Sequence, residues 1–126
     1  MTEHENILKE IYGQLKDIFD SSEQAMYLYL DDEHKVCNQR FASMLDYESV
    51  NEWAAVKDNF PEAFVAEQSQ ETLVNTFREA MEKGIGSSIK VKWKKKSQGS
   101  VESNVILVPI SYKGYRMALH FISKIV

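Results

Sequence analysis

Apolar residues recur through the first twenty positions at Ile7, Leu8, Ile11, Leu15, Ile18 and Phe19. The steps from Leu8 to Ile11, Leu15 and Ile18 alternate three and four, which lays one stripe along a helix. The spacing predicts an amphipathic helix over residues 3–19, with Glu3 and Glu5 where the helix dipole favours acids. The pattern then changes. Residues 25–30 (AMYLYL) are apolar on both sides and bounded by polar clusters, so they predict a strand covered on two faces. Residues 31–34 (DDEH) form the turn, Lys35 to Cys37 a short second strand, and Asn38 an N-cap for a helix carrying Phe41, Met44 and Leu45. Ser49 caps a short helix with Val50, Trp53, Ala54 and Val56, and residues 59–61 (NFP) break it.

Residues 71–83 form a clearer helix, with Leu73, Val74, Phe77, Ala80 and Met81 on one side and Gly84 at its end. From Ser88 the period becomes two. Ile89, Val91 and Trp93 alternate with Lys90, Lys92 and Lys94, and Gly99 marks a hairpin turn. Val101 to Ser111 is the next strand, with Pro109 at an edge or bulge. After a turn at Tyr112 to Gly114 the last strand places Tyr115, Met117, Leu119 and Phe121 on one face and Arg116, Ala118, His120 and Ile122 on the other. Helix, two strands, several helices, three strands: this order is α+β, with a five-stranded antiparallel sheet and helices on one face. The expected organisation is an N-terminal amphipathic helix over 1–20 and one domain over 21–126.

Charge and composition narrow the chemistry. At 126 residues the chain is one ordinary domain able to bury a core without staples. A net charge of −4 argues against nucleic acid, although Lys90, Lys92, Lys94, Lys95 and Lys96 cluster around Trp93; they read as a solvated strand face. A lone Cys37 excludes an internal disulfide and a cysteine-rich zinc site. The acidic start and the lack of a long apolar run lead to the expectation of a cytoplasmic protein with no membrane partner. No nucleophile–base spacing, phosphate loop or metal motif appears, so no catalytic residue, metal or cofactor is expected.

Residues 38–47 (NQRFASMLDY) resemble the N-x-x-F-x-x-(L/M)-(L/F)-G-Y segment of PAS domains, and Ile122-Ser123 is similar to that family's closing D-I-T. Asp46 stands in place of the usual glycine and Phe121 in place of the closing aspartate. The resemblance implies a sensory or protein-interaction module. It implies a space between sheet and helices for a small apolar ligand, for which Phe41, Met44, Phe77, Leu107, Met117, Leu119 and Phe121 are the candidate lining. Aligning Ile122-Ser123 with the closing motif sets Leu119 and Phe121 inward and His120 outward. Homodimerisation is expected through Leu8, Ile11, Leu15 and Ile18 against the outer sheet face, and a signalling protein is the expected partner class. Flavin-binding light-oxygen-voltage domains use a reactive cysteine, but theirs lies on a later helix, and Cys37 reads as a buried thiol. Haem-binding members place a histidine on the helix equivalent to 71–83, which has none. His4, His34 and His120 read as surface or structural residues, His34 solvated in its turn. The second reading is a small ligand-binding or catalytic cone-shaped domain of nuclear-transport-factor type, which would need a polar pocket.

Overall fold

The computed structural model describes residues 2–125. The first helix, α1 (Glu3–Ser21), is capped by the Thr2 hydroxyl, which accepts from the Glu5 N–H. Strands β1 (Ala25–Asp31) and β2 (His34–Cys37) form a hairpin. Three short helices follow, α2 (Gln39–Met44), α3 (Val50–Ala54) and α4 (Phe60–Phe64), each begun by a side chain that accepts from the first turn: Asn38, Ser49 and Asn59. The long helix α5 (Glu67–Lys83) begins four residues before the expected start. Its extra turn has no side-chain cap and is held instead by β3, because Ser69 Oγ accepts from the Lys92 N–H and the Ala66 N–H donates to the Lys92 carbonyl. Gly84, at φ 68°, closes it in the left-handed conformation.

Strands β3 (Ser87–Lys94), β4 (Ser100–Tyr112) and β5 (Tyr115–Lys124) complete an antiparallel sheet in the order β2-β1-β5-β4-β3. The β4–β5 turn carries positive φ at Lys113 and Gly114, which matches the twist of the strands it joins. Pro109 pairs with Ala118 on β5, while β3 ends opposite Leu107. Its missing N–H therefore costs no ladder bond on the open side, which is the edge position expected of it.

The sheet is covered on both faces. Tyr27, Trp93, Val105 and Ile122 point toward α2–α5 and form one core with Phe41, Trp53, Phe60, Phe64 and Leu73. Met26, Leu28, Met117 and Leu119 point the other way and form a second core with Ile7, Ile11 and Phe19 of α1. The register explains the division. Met26 pairs with Phe121 and Leu28 with Leu119, whereas Tyr27 pairs with His120 and Tyr29 with Ala118. Side chains alternate faces along a strand, so each pair lies wholly on one side.

This register corrects the expected parity of the last strand. Met117, Leu119 and Phe121 do not line a space under the helices; they are the bed on which α1 lies. His120 is inward and buried. The physical reason is that α1 needs an apolar surface to cover its own stripe, and the bulkier face of β5 supplies it. The helix shares this outer core with β1 and β5. Ile11 is buried and Leu8 and Leu15 are half-buried against this bed, but Ile18 is exposed.

Candidate functional site

Asn38 is the hub between the layers. Its Oδ1 accepts from the Phe41 N–H at 3.1 Å and the Met26 N–H at 3.0 Å. Its Nδ2 donates to the Phe19 carbonyl at 3.2 Å and the Gln24 carbonyl at 2.9 Å. One side chain thus caps α2, holds the start of β1 and fixes the end of α1. Asp46, at φ 66°, adopts the left-handed conformation that a glycine would enter without steric cost. Its carboxylate accepts from the Ser97 hydroxyl and lies 3.9 Å from Lys95 Nζ.

A cavity of about 210 Å³ opens between β1, β5 and the helices α4 and α5. Tyr27, Tyr29 and His120 form its sheet side; Phe60, Pro61, Leu73, Val74 and Phe77 form the helix side; Asp32 and Asn59 stand at one end. Half of the lining residues are aromatic. Tyr29 meets Phe77 edge-on at 5.2 Å and Phe60 at 5.1 Å, and Tyr27 stacks on Phe60 at 5.3 Å. The polar end is organised by Asp32, whose Oδ1 accepts from the Tyr29 hydroxyl at 2.7 Å and from the Phe60 N–H at 3.1 Å. Burial and then the neighbouring Asp32 carboxylate push the Tyr29 hydroxyl well above its ordinary range.

His120 lies flat on Tyr27, with ring centroids 3.8 Å apart and planes within 10°. Its Nδ1 is 3.1 Å from the Ala118 carbonyl. A carbonyl only accepts, so Nδ1 carries the proton and Nε2 is the acceptor nitrogen of the neutral ring. Burial holds its pKa down at about 3, outweighing the backbone carbonyls that favour the charged form. The ring is therefore neutral and fixed within the wall of the cavity.

Of the seven residues expected to line this space, Phe77 does so. Phe41 stacks behind Tyr27 at 4.9 Å, Met44 packs at the margin of the same core, and Leu107 is buried with Ala80 and Ala118 beneath α5. Met117, Leu119 and Phe121 lie on the opposite face. The lining residues that the sequence reading missed include Tyr29, Asp32 and His120. A signal for His120 was present: Ile122 is inward and two residues away, and strand alternation then places His120 inward too.

The other candidate groups resolve as follows. Cys37 is buried at the end of β2, and burial pushes its thiol up to about 12, which leaves it neutral and a poor nucleophile. Lys35 is buried, with Nζ donating to the carbonyls of Asp32 at 2.7 Å, Ala54 at 3.3 Å and Val56. Burial and then the nearby Lys57 lower its pKa to about 8. In the basic strand region Lys94 donates to the Glu62 carbonyl at 2.7 Å and Lys96 pairs with Glu52 at 3.0 Å, so these cations already hold intramolecular partners. His34 is not solvated: its side chain is 14% exposed and Nδ1 lies 2.7 Å from Asp31. No helix among the described residues is long and apolar enough to cross a membrane.

No family model matches the sequence, and no curated protein matches it. Solved structures match the fold closely. A PAS domain from a two-component sensor histidine kinase superposes with a TM-score of 0.68 at 12% identity, over 93% of this chain and 99% of that one. A PAS domain from Colwellia psychrerythraea gives 0.69 at 17% identity, over 91% and 97%. A LOV protein from Rhodobacter sphaeroides gives 0.70 at 16% identity, over 93% of this chain and 68% of that one. The strand order, the Asn38 cap and these superpositions together establish that the chain has the PAS domain fold.

Proposed function

We propose that this chain is a non-catalytic sensory module that binds a small, flat, largely apolar molecule between Tyr27, His120 and Phe77 and signals as a homodimer. The observation that carries the reading is the cavity itself: about 210 Å³, walled by Tyr27, Tyr29, Phe60 and Phe77, with the neutral His120 ring among its lining. An apolar cavity of about 150 Å³ holds benzene in a protein interior, so this space suits a one- or two-ring molecule. Neutral His120 favours a ligand that donates one hydrogen bond, such as a phenol or an indole, over a bare hydrocarbon. The absence of a catalytic role rests on the same chemistry. A histidine with a pKa near 3 is a poor general base at neutral pH, and the Cys37 thiol is protonated and buried.

The dimer is formed with a second copy through the α1 side of the sheet. Ile18 and Ile106 are 52% and 48% exposed there, beside half-buried Leu15 and Phe121. A ligand that binds the two packings of this face unequally shifts their populations, which is all that signalling requires. A cytoplasmic signalling protein is the partner class that such a module serves; one similar fold comes from a sensor histidine kinase.

The test is a titration with simple phenols and indoles followed by NMR of the aromatic and imidazole resonances. The expected result is saturable shifts at Tyr27, Phe77 and His120, abolished when Val74→Trp fills the cavity while the far-UV spectrum is kept. Shifts that persist unchanged in Val74→Trp, or no saturable shift with any of these probes, would overturn the reading.

A further inference from the structure

Outside the lining of this cavity, His4, Asp31 and His34 converge at the C-terminal end of β1. They come from three segments: the first turn of α1, the last residue of β1 and the first of β2. His4 Nδ1 is 2.7 Å from Asp31 Oδ2, and His34 Nδ1 is 2.7 Å from Asp31 Oδ1. One donor atom from each residue lies within 4.8 Å of the other two. We propose that these three side chains bind a divalent transition metal ion of the zinc type, which clips α1 to the β1–β2 hairpin.

The donor set is two imidazoles and one carboxylate, the ligand chemistry of zinc and its neighbours. Ligands roughly 2.0–2.1 Å from a tetrahedral ion stand about 3.4 Å from one another, so side-chain shifts of under about 1 Å bring these atoms into place. The rings are already oriented. His4 meets His34 edge-on at 5.6 Å and Tyr115 edge-on at 5.3 Å, and His34 is 14% exposed. Asp31 is 37% exposed and His4 42%, which leaves the open side to water as further ligand. Glu3, Asp32 and Glu33 flank the ligands in sequence, while the Nζ atoms of Lys35 and Lys57 are engaged by backbone carbonyls. Residues 31 and 34 are neighbours in a turn, but His4 is brought to them only by the seating of α1 on the sheet, so spacing along the chain gave no metal motif.

The test uses the full chain at neutral pH with Zn²⁺ and Co²⁺ alone. One Zn²⁺ per chain is expected by calorimetry, with the melting temperature raised by ~5 °C or more at a hundredfold excess over Kd. In the unaltered chain, one equivalent of Zn²⁺ shifts the imidazole resonances of two histidines and leaves that of His120 in place. His34→Gln and His4→Gln each lower the affinity at least tenfold while their metal-free melting shows a folded chain. Co²⁺ gives visible d–d absorption that both variants lose. If the unaltered chain shows no saturable Zn²⁺ effect, or if the His4 and His34 resonances do not move, the three residues are a hydrogen-bonded clip only and the proposal fails. Equal affinity in folded His34→Gln would overturn it as well.

Discussion

Asn38 satisfies four backbone groups with one amide, and no other residue type offers two acceptor lone pairs and two donors at that length. Asn38→Ala removes the α2 cap and strands buried groups of Met26 and Phe19. A loss of about 2–4 kcal/mol in urea unfolding is expected. A loss below about 1 kcal/mol would show that water replaces the amide. His120 gives a second prediction, in pH. Its folded pKa, about 3, lies below the unfolded value of about 6.5. Below pH 6.5 the unfolded chain takes up a proton that the folded chain refuses, so the stability is complete above that pH and falls as the pH drops toward 3. The slope is at most ~1.4 kcal/mol per pH unit. Between pH 7 and pH 5 the natural chain should therefore lose about 2 kcal/mol more than His120→Gln. Parallel losses in the two chains would mean that the ring is already solvated.

At the scale of elements, the decisive event is the seating of α1. Its stripe divides into residues that bury and residues that do not: Ile7, Ile11 and Phe19 enter the outer core, while Ile18 stays in solvent. Ile11→Ala should cost about 2–4 kcal/mol through the hole it leaves, against about 0.5 kcal/mol or less for Ile18→Ala. Thermal or urea unfolding of the two variants reads the difference directly. Similar losses at the two positions would place the helix in a different rotation on the sheet. The helical spacing was legible in the sequence, but its partner surface was not. Two faces of β5 are apolar enough to be buried, and period-two alternation says which residues share a face without saying which face is inside. The register with β1 decides that, through the pairing of Leu28 with Leu119 and Tyr27 with His120.

For the whole molecule, the sheet separates two different environments. One side holds the aromatic cavity and the other holds α1 and the exposed pair Ile18 and Ile106. In the proposed function, β1 and β5 connect the cavity to the α1 face, because their alternating residues line both. Replacing Ile18 and Ile106 together by aspartate should convert a dimer to a monomer by native mass while leaving the melting temperature within about 3 °C, since both side chains are outside the core. A natural chain that is already monomeric at high concentration would end the dimer reading. The strand order and helices are those of PAS domains and not of the cone-type fold.

The sequence by itself determined the order of the elements other than α4, the Asn38 cap and the wet face of Lys90, Lys92 and Lys94, because hydrophobic period and capping chemistry act within a few residues. It also carried the resemblance that proved right about the fold. The tertiary structure alone decided which apolar stripe lines the cavity, where His120 points, and that His4 meets Asp31 and His34. Those outcomes depend on strand register and on a helix docking across the sheet. Such contacts join residues as far as 103 positions apart, as when Glu10 of α1 accepts from Lys113 beyond β4 at 2.6 Å. No local pattern encodes that separation, because the free energy that selects it comes from covering two sheet faces at once.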